Sequence, residues 1–263
     1  MSAVRSPSTP APAAPLTRAE GVALMTAQYD ALLDLLRSLS DDEWNTVTEC
    51  TPWTVKDVVA HLIGWAEAFT SFSEMGHQVS ATVKRRSEFG NLLDAQNQVQ
   101  VDDRAQMSAA EVLHRWEEMA PRFARQRTRF GLVGKVLPLY VPGLFGFTNM
   151  AYLFVTIFNR DAFMHRIDIS RALGRDPQLG GPEARLIEDV AVDWAGRTGA
   201  AARLHLAGPA GGEYAVGIAH RADITTDAVL FARVLSGRGD LTEIQVDGDV
   251  DAARDWLKKG CPF

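Results

Sequence analysis

The sequence predicts a helical bundle over residues 16–174 followed by a small α+β domain over residues 182–263. Three observations predict it. In the first part apolar residues recur at helical spacing, and Ser/Thr-x-x-Glu/Asp boxes open several of the helices. A Pro/Gly-rich break, around Pro177, Gly180 and Gly181, then interrupts the chain. Beyond residue 200 the apolar period shortens to alternation, the signature of strands.

The first residues, MSAVRSPSTPAPAAPL, are rich in Pro, Ala and Ser and lack the continuous apolar run of a signal peptide. Residues 1–15 read as a disordered tail. Thr17 with Glu20 opens the first helix, which carries Val22, Met25, Tyr29, Leu32, Leu33 and Leu36 on its inner face. Ser40 with Glu43 opens a short helix around Trp44. Thr54 with Asp57 opens a helix whose apolar arc runs from Val55 to Phe69, with His61 and Trp65 at one edge. Ser71–Asp103 is polar and weakly periodic, a long connection with helical pieces. Ser108 with Glu111 opens a helix to Arg129, with Val112, Trp116, Met119 and Phe123 facing inward.

Val136–Phe158 carries no charged residue and is long enough to span a bilayer. Pro138, Pro142, Gly143 and Gly146 interrupt it, so it reads as an apolar loop leading into a buried helix. Asn149–Gly174 is that helix, the fourth of the bundle. In the second part, Pro182 sits in the first turn of a helix to about Gly199. Ala202–Leu206 and Glu213–Ala219 read as strands around the turn GPAGG. A helix over Thr226–Ser236, a strand over Thr242–Val246 and a final helix capped by Asp249 complete the chain.

The chain has 263 residues and a formal charge of -6, which argues against nucleic acid and against an anionic membrane surface as partners. No membrane span is expected. The two cysteines, Cys50 and Cys261, have no CxxC spacing and fit a reducing, cytoplasmic location. Cys50 reads as a buried, inert thiol.

The chemistry concentrates on the fourth helix. Asp161, His165 and Asp168 fall on one stripe at i, i+4 and i+7, shared with the apolar Phe154 and Ile157. An inward ionisable pair needs a partner. A divalent metal is one, held by His61, Asp161 and His165 as two imidazoles and a carboxylate. The alternative at this level is an ion pair between helical neighbours. Two further residues are catalytic candidates. Arg166 has the planar fork that suits a substrate carboxylate, and Asp168 can orient a ligand histidine. For each, a structural ion pair is the alternative, with Arg171 or Lys56 as the partner of Asp168. Trp53 and Trp65 read as core or pocket lining. His77, His114, His205 and His220 lack ligand spacing, and GPAGG lacks the strand–loop–helix setting of a phosphate cradle.

TPWTVKDVVAHLIGW, FGNLLDAQNQVQVDDRAQMSAAEVLHRW and DAFMHRIDISRALGR resemble three segments of the mycothiol-dependent maleylpyruvate isomerase family, a branch of the DinB-like metal-binding four-helix bundles. FARVLSGRGD and VDGDVDAARDWL resemble the sterol-carrier-like domain that often follows. The resemblance implies an actinobacterial-type enzyme with zinc or another divalent metal on His61, Asp161 and His165, and mycothiol as a low-molecular-weight thiol cofactor. The family usually has Glu where this chain has Asp161. The implied reaction adds a thiolate to an activated alkene of a small-molecule substrate, lets the new single bond rotate, and eliminates the thiol to leave the trans alkene. Stopping at addition makes an S-transferase. Two other readings stand beside it: a non-catalytic ligand-binding or stress-response protein, and a metal-dependent hydrolase. The apolar Val136–Phe158 stretch points to a greasy substrate. Replacing Phe145 and Phe147 with Ser is then expected to weaken apolar substrates selectively.

Overall fold

The computed structural model describes residues 10–141 and 146–263. It comprises two compact units, Arg18–Gln178 and Leu179–Phe263, the second also taking the N-terminal segment through Thr17. The first part of the expected tail, residues 1–9, and Pro142, Gly143 and Phe145 of the apolar stretch lie outside the described residues. From residue 10 onward the tail expectation is corrected. Ala11–Pro12 form β1, which pairs in parallel with Tyr214–Ala215. The amides of Ala14 and Leu16 then donate to Glu188 and Asp189 at 2.9 Å each. Proline suits such an edge, where missing amides cost no ladder bond.

The Arg18–Gln178 unit is built on α1 (Arg18–Arg37), α2 (Val55–Ala68), α5 (Ala109–Val133) and α6 (Phe158–Ala172). Helices α1 and α2 each pack on both α5 and α6. Leu32, Leu36, Val55, Val59, Ile63, Trp116, Phe123, Phe154 and Phe158 lie in one buried cluster between them. The connection expected after Ser71 is more regular than its weak periodicity suggests. It forms α3 (Phe72–Arg85) and α4 (Leu92–Asp102), which pack on each other and on α2. Their shared interface holds buried glutamines, so the apolar stripe that announces a helix is missing there.

Local chemistry fixes where α2 begins. Thr54 Oγ1 accepts from the Asp57 amide at 3.3 Å, and the Thr54 amide donates to Asp57 Oδ2 at 2.9 Å. Such a reciprocal cap contributes ~1 kcal/mol and fixes the helix register. Ser108 and Glu111 do the same for α5.

The expected apolar loop is an antiparallel hairpin, β2 (Pro138–Val141) with β3 (Gly146–Asn149). Aromatic and β-branched side chains favour the pleat, and Pro138 stands at the strand start, where it is tolerated. Asn149–Gly174 is also not one regular helix. Tyr152–Ile157 form a π-helical turn before α6. Arg127, buried on α5, holds that turn: its Nε donates to the Phe154 carbonyl at 2.8 Å and its Nη2 to Asn159 Oδ1 at 2.7 Å. Asn159 Nδ2 donates in turn to the Val155 and Gly21 carbonyls. Gly21 is required there, because a Cβ would overlap the Val155 side chain.

The second unit packs α7 (Gly181–Thr198), α8 (Ala228–Leu235) and α9 (Val250–Lys259) with a five-stranded sheet in the order β1-β5-β4-β6-β7. Here β4 is Ala202–Ala207, β5 Gly212–Val216, β6 Ala222–Asp227 and β7 Gln245–Gly248. The sequence reading missed β6, which sits between β4 and β7. Its inward residues are Ala222, Ile224 and Thr226, only one of them large and apolar. The last strand starts later than expected because Leu241–Glu243 close a single 3₁₀ turn. Among the described residues no helix is long and apolar enough to cross a membrane.

Candidate metal centre

The Thr54 cap and the π turn set the registers of two facing helices, and side chains of both meet between them. His61 comes from α2, Asp161 and His165 from α6. Asp161 Oδ1 lies 3.3 Å from His165 Nε2 and 3.8 Å from His61 Nε2. The two imidazole rings stand 5.2 Å apart, close to perpendicular. The three donor atoms lie within 4.8 Å of one another. The histidine side chains are 3% and 5% exposed and Asp161 19%, so the cluster opens on its Asp161 side.

The protonation of His61 follows from a chain of amides. Gln78 Nε2 donates to the Gly64 carbonyl at 3.0 Å and to Glu74 Oε1 at 2.8 Å, groups that only accept. Gln78 Oε1 therefore faces Gln100 Nε2, 3.1 Å away. The carbonyl end of Gln100 must then face His61, with Oε1 2.9 Å from Nδ1. An amide oxygen accepts, so Nδ1 carries the proton and Nε2 keeps its lone pair toward Asp161. Gly64 permits this, since a Cβ there would overlap Gln100.

On the other ring, His165 Nδ1 lies 3.3 Å from the fully buried Asp168 Oδ2. The Cys50 thiol donates to the same oxygen at 3.1 Å. Cys50 is half-buried, not the buried inert thiol of the sequence reading, and its Sγ lies 3.9 Å from His165 Nδ1. The other partners considered for Asp168 are engaged elsewhere. Arg171 Nε donates to Glu49, and Lys56 to the Ala105 and Met107 carbonyls. Trp53 packs its ring 5.2 Å from that of His61.

Burial, with the neighbouring His165, lowers the His61 pKa against the pull of Asp161. Burial also opposes charge on His165, but Asp161 and Asp168 together outweigh it and push its pKa well up. Burial pushes Asp161 up, and the two histidines more than reverse this, holding its carboxyl well below the usual range. A divalent cation on the two Nε2 atoms and Asp161 would replace the His165 proton in balancing the buried carboxylates. The donor set and its anchored far sides fit such an ion.

Arg166, one residue on from His165, leaves the stripe. It is buried, donates to Gln28 at 3.3 Å, and lines a separate cavity of about 460 Å³ with Asp34, Leu35, Ser38, Ser170 and Arg175. His77, His114, His205 and His220 belong to neither metal-type cluster found among the described residues.

The family model of the mycothiol maleylpyruvate isomerase N-terminal domain matches residues 25–170, more than half of the chain. The chain belongs to the mycothiol maleylpyruvate isomerase N-terminal domain family. Among solved structures, this family member is similar to the mycothiol-dependent maleylpyruvate isomerase and to a histidine-to-alanine mutant of that enzyme. Each match has 14% identity and a TM-score of 0.57, and covers 89% of this chain and 95% of the other. No curated protein matches it. The likeness extends the shared fold into the second unit.

For this mycothiol maleylpyruvate isomerase family member, sequence reasoning missed Gln78 and Gln100. For Gln100 the run Gln96, Gln98, Gln100 was a signal, since three glutamines at alternate positions of a helix put two on one face; Gln78 had none. Nothing in the sequence alone showed that Gln100 is buried while Gln96 and Gln98 are half-buried.

Proposed function

We propose that the chain is a divalent-metal- and mycothiol-dependent isomerase or thiol S-transferase acting on an activated small-molecule alkene or electrophile. The observation that carries this reading is the convergence of His61 Nε2, His165 Nε2 and Asp161 Oδ1, with both Nδ1 atoms anchored behind. These three residues would hold the ion, zinc first by their donor types. A bound ion supplies Lewis acidity, which lowers the pKa of a neighbouring thiol and favours its nucleophilic thiolate.

The remaining chemistry belongs to side chains. Asp168 holds the proton at His165 Nδ1 and fixes the ring, and Gln100 does the same at His61 Nδ1. Trp53 covers one side of the His61 ring and keeps water from it. Asp161 stands at the open side, where a substrate and a thiol would enter. Asp168, without exposure, acts through His165 as a positioning residue. Arg166 donates to Gln28 and lines the separate cavity with Asp34 and Arg175, and this reading gives it no place against the reacting atoms.

Family membership supports isomerisation over transfer, and maleylpyruvate is the first substrate to test. Zinc-loaded protein is mixed with maleylpyruvate, with and without mycothiol, and loss of the cis alkene is followed. Turnover that needs both thiol and metal supports the proposal. Ester hydrolysis without thiol, or no turnover across a panel of alkene and halide electrophiles, contradicts it.

A further inference from the structure

We propose that the β2–β3 hairpin and the end of α5 form a surface that docks on an anionic lipid membrane, independently of the metal centre. Val136, Leu137, Tyr140 and Phe147 are 82%, 41%, 55% and 83% exposed. Tyr140 and Phe147 are direct cross-strand partners, and their rings stack at 4.4 Å in the open. Exposed apolar side chains are ordinary singly, but two on the hairpin and two on the residues just before it make a patch that calls for a partner.

The charge on the chain leading into that patch identifies the partner. Arg122, Arg125 and Arg129 follow i, i+3, i+7 spacing on α5 and are all exposed, and exposed Lys135 precedes the hairpin. No Asp or Glu occurs between Glu118 and Asp161. A chain of net charge -6 thus has a stretch of more than forty residues whose charged side chains are all positive. The earlier argument against an anionic membrane surface used the net charge, which averages this region away.

Aromatic rings settle at headgroup depth, and neighbouring cations meet anionic lipid there. Two copies joined through this face would set like charges against each other, which disfavours a symmetric dimer. Nucleic acid would use the cations but leave Val136 and Leu137 in water.

The test is sedimentation of the full chain with vesicles of equal parts phosphatidylglycerol and phosphatidylcholine, against phosphatidylcholine alone. Expected are binding to the anionic vesicles, weakening at ~0.5 M salt, and loss of binding in Tyr140→Ser/Phe147→Ser. Arg125→Gln/Arg129→Gln should bind about 25-fold more weakly, about fivefold per cation removed. Circular dichroism and melting of these surface variants should match the parent. Equal binding to neutral vesicles, no binding at low salt, or indifference to the arginine substitutions overturns the proposal. So does a concentration-dependent dimer that Phe147→Ser abolishes, which would assign the patch to a second copy.

Discussion

Gln100 Oε1 lies 2.9 Å from His61 Nδ1, and this one contact decides which histidine nitrogen faces Asp161 and His165. The amide is itself held by Gln78, so ring orientation on α2 is set from α3 and α4. Gln100→Leu should lower zinc affinity about 10–100-fold while leaving every ligand in place. Gly64→Ala should act in the same direction by displacing Gln100, despite alanine's better helix propensity. Competition against a chromophoric chelator reads both. Unchanged affinity in both would mean that the amide chain does not tune the ring.

Asp168 plays the matching part for His165. Asp168→Asn removes a negative charge and frees the ring to turn, and should cost about 10–100-fold in metal affinity. Cys50→Ser keeps a donor to Asp168 and should stay near the parent. If Cys50→Ser binds as weakly as Asp168→Asn, the sulfur itself is a ligand.

Arg127 bridges Tyr29, the π turn and Asn159 from a buried position. Arg127→Met leaves the Phe154 carbonyl and Asn159 Oδ1 without that donor and should destabilise the protein by about 3 kcal/mol. Chemical denaturation measures it. A midpoint within error of the parent would show that the turn holds itself.

Burial raises the Tyr29 pKa, more than Arg127 lowers it. A raised folded pKa means that the folded protein keeps its proton longer than the unfolded chain. Stability from this group is therefore complete below the ordinary phenol pKa, ~10, and is lost as pH climbs through the folded value. Tyr29→Phe cannot ionise, so its stability relative to the parent should improve as pH rises above ~10. A pH-independent difference between the two would contradict this.

The bundle was legible because capping boxes and apolar stripes encode it residue by residue: Thr54 with Asp57 starts α2, and the i, i+4, i+7 stripe aligns Asp161, His165 and Asp168. The neighbourhood of those residues was less legible. Cys50 lies 118 positions from Asp168, and Gln100 39 from His61. No local pattern reports contacts across such distances. Arg166 was read from its chemistry alone; one residue of helix turns it about 100° from His165, toward Gln28. Strand β6 was missed because Ala222 and Thr226 carry little apolar signal.

The most direct test is the metal content of the purified protein and of His61→Ala and His165→Ala. About one equivalent of zinc is expected in the parent and none in either variant, with all three equally folded. No metal in the parent after zinc is supplied, or full occupancy in both variants, would contradict the assignment of these residues as a metal centre.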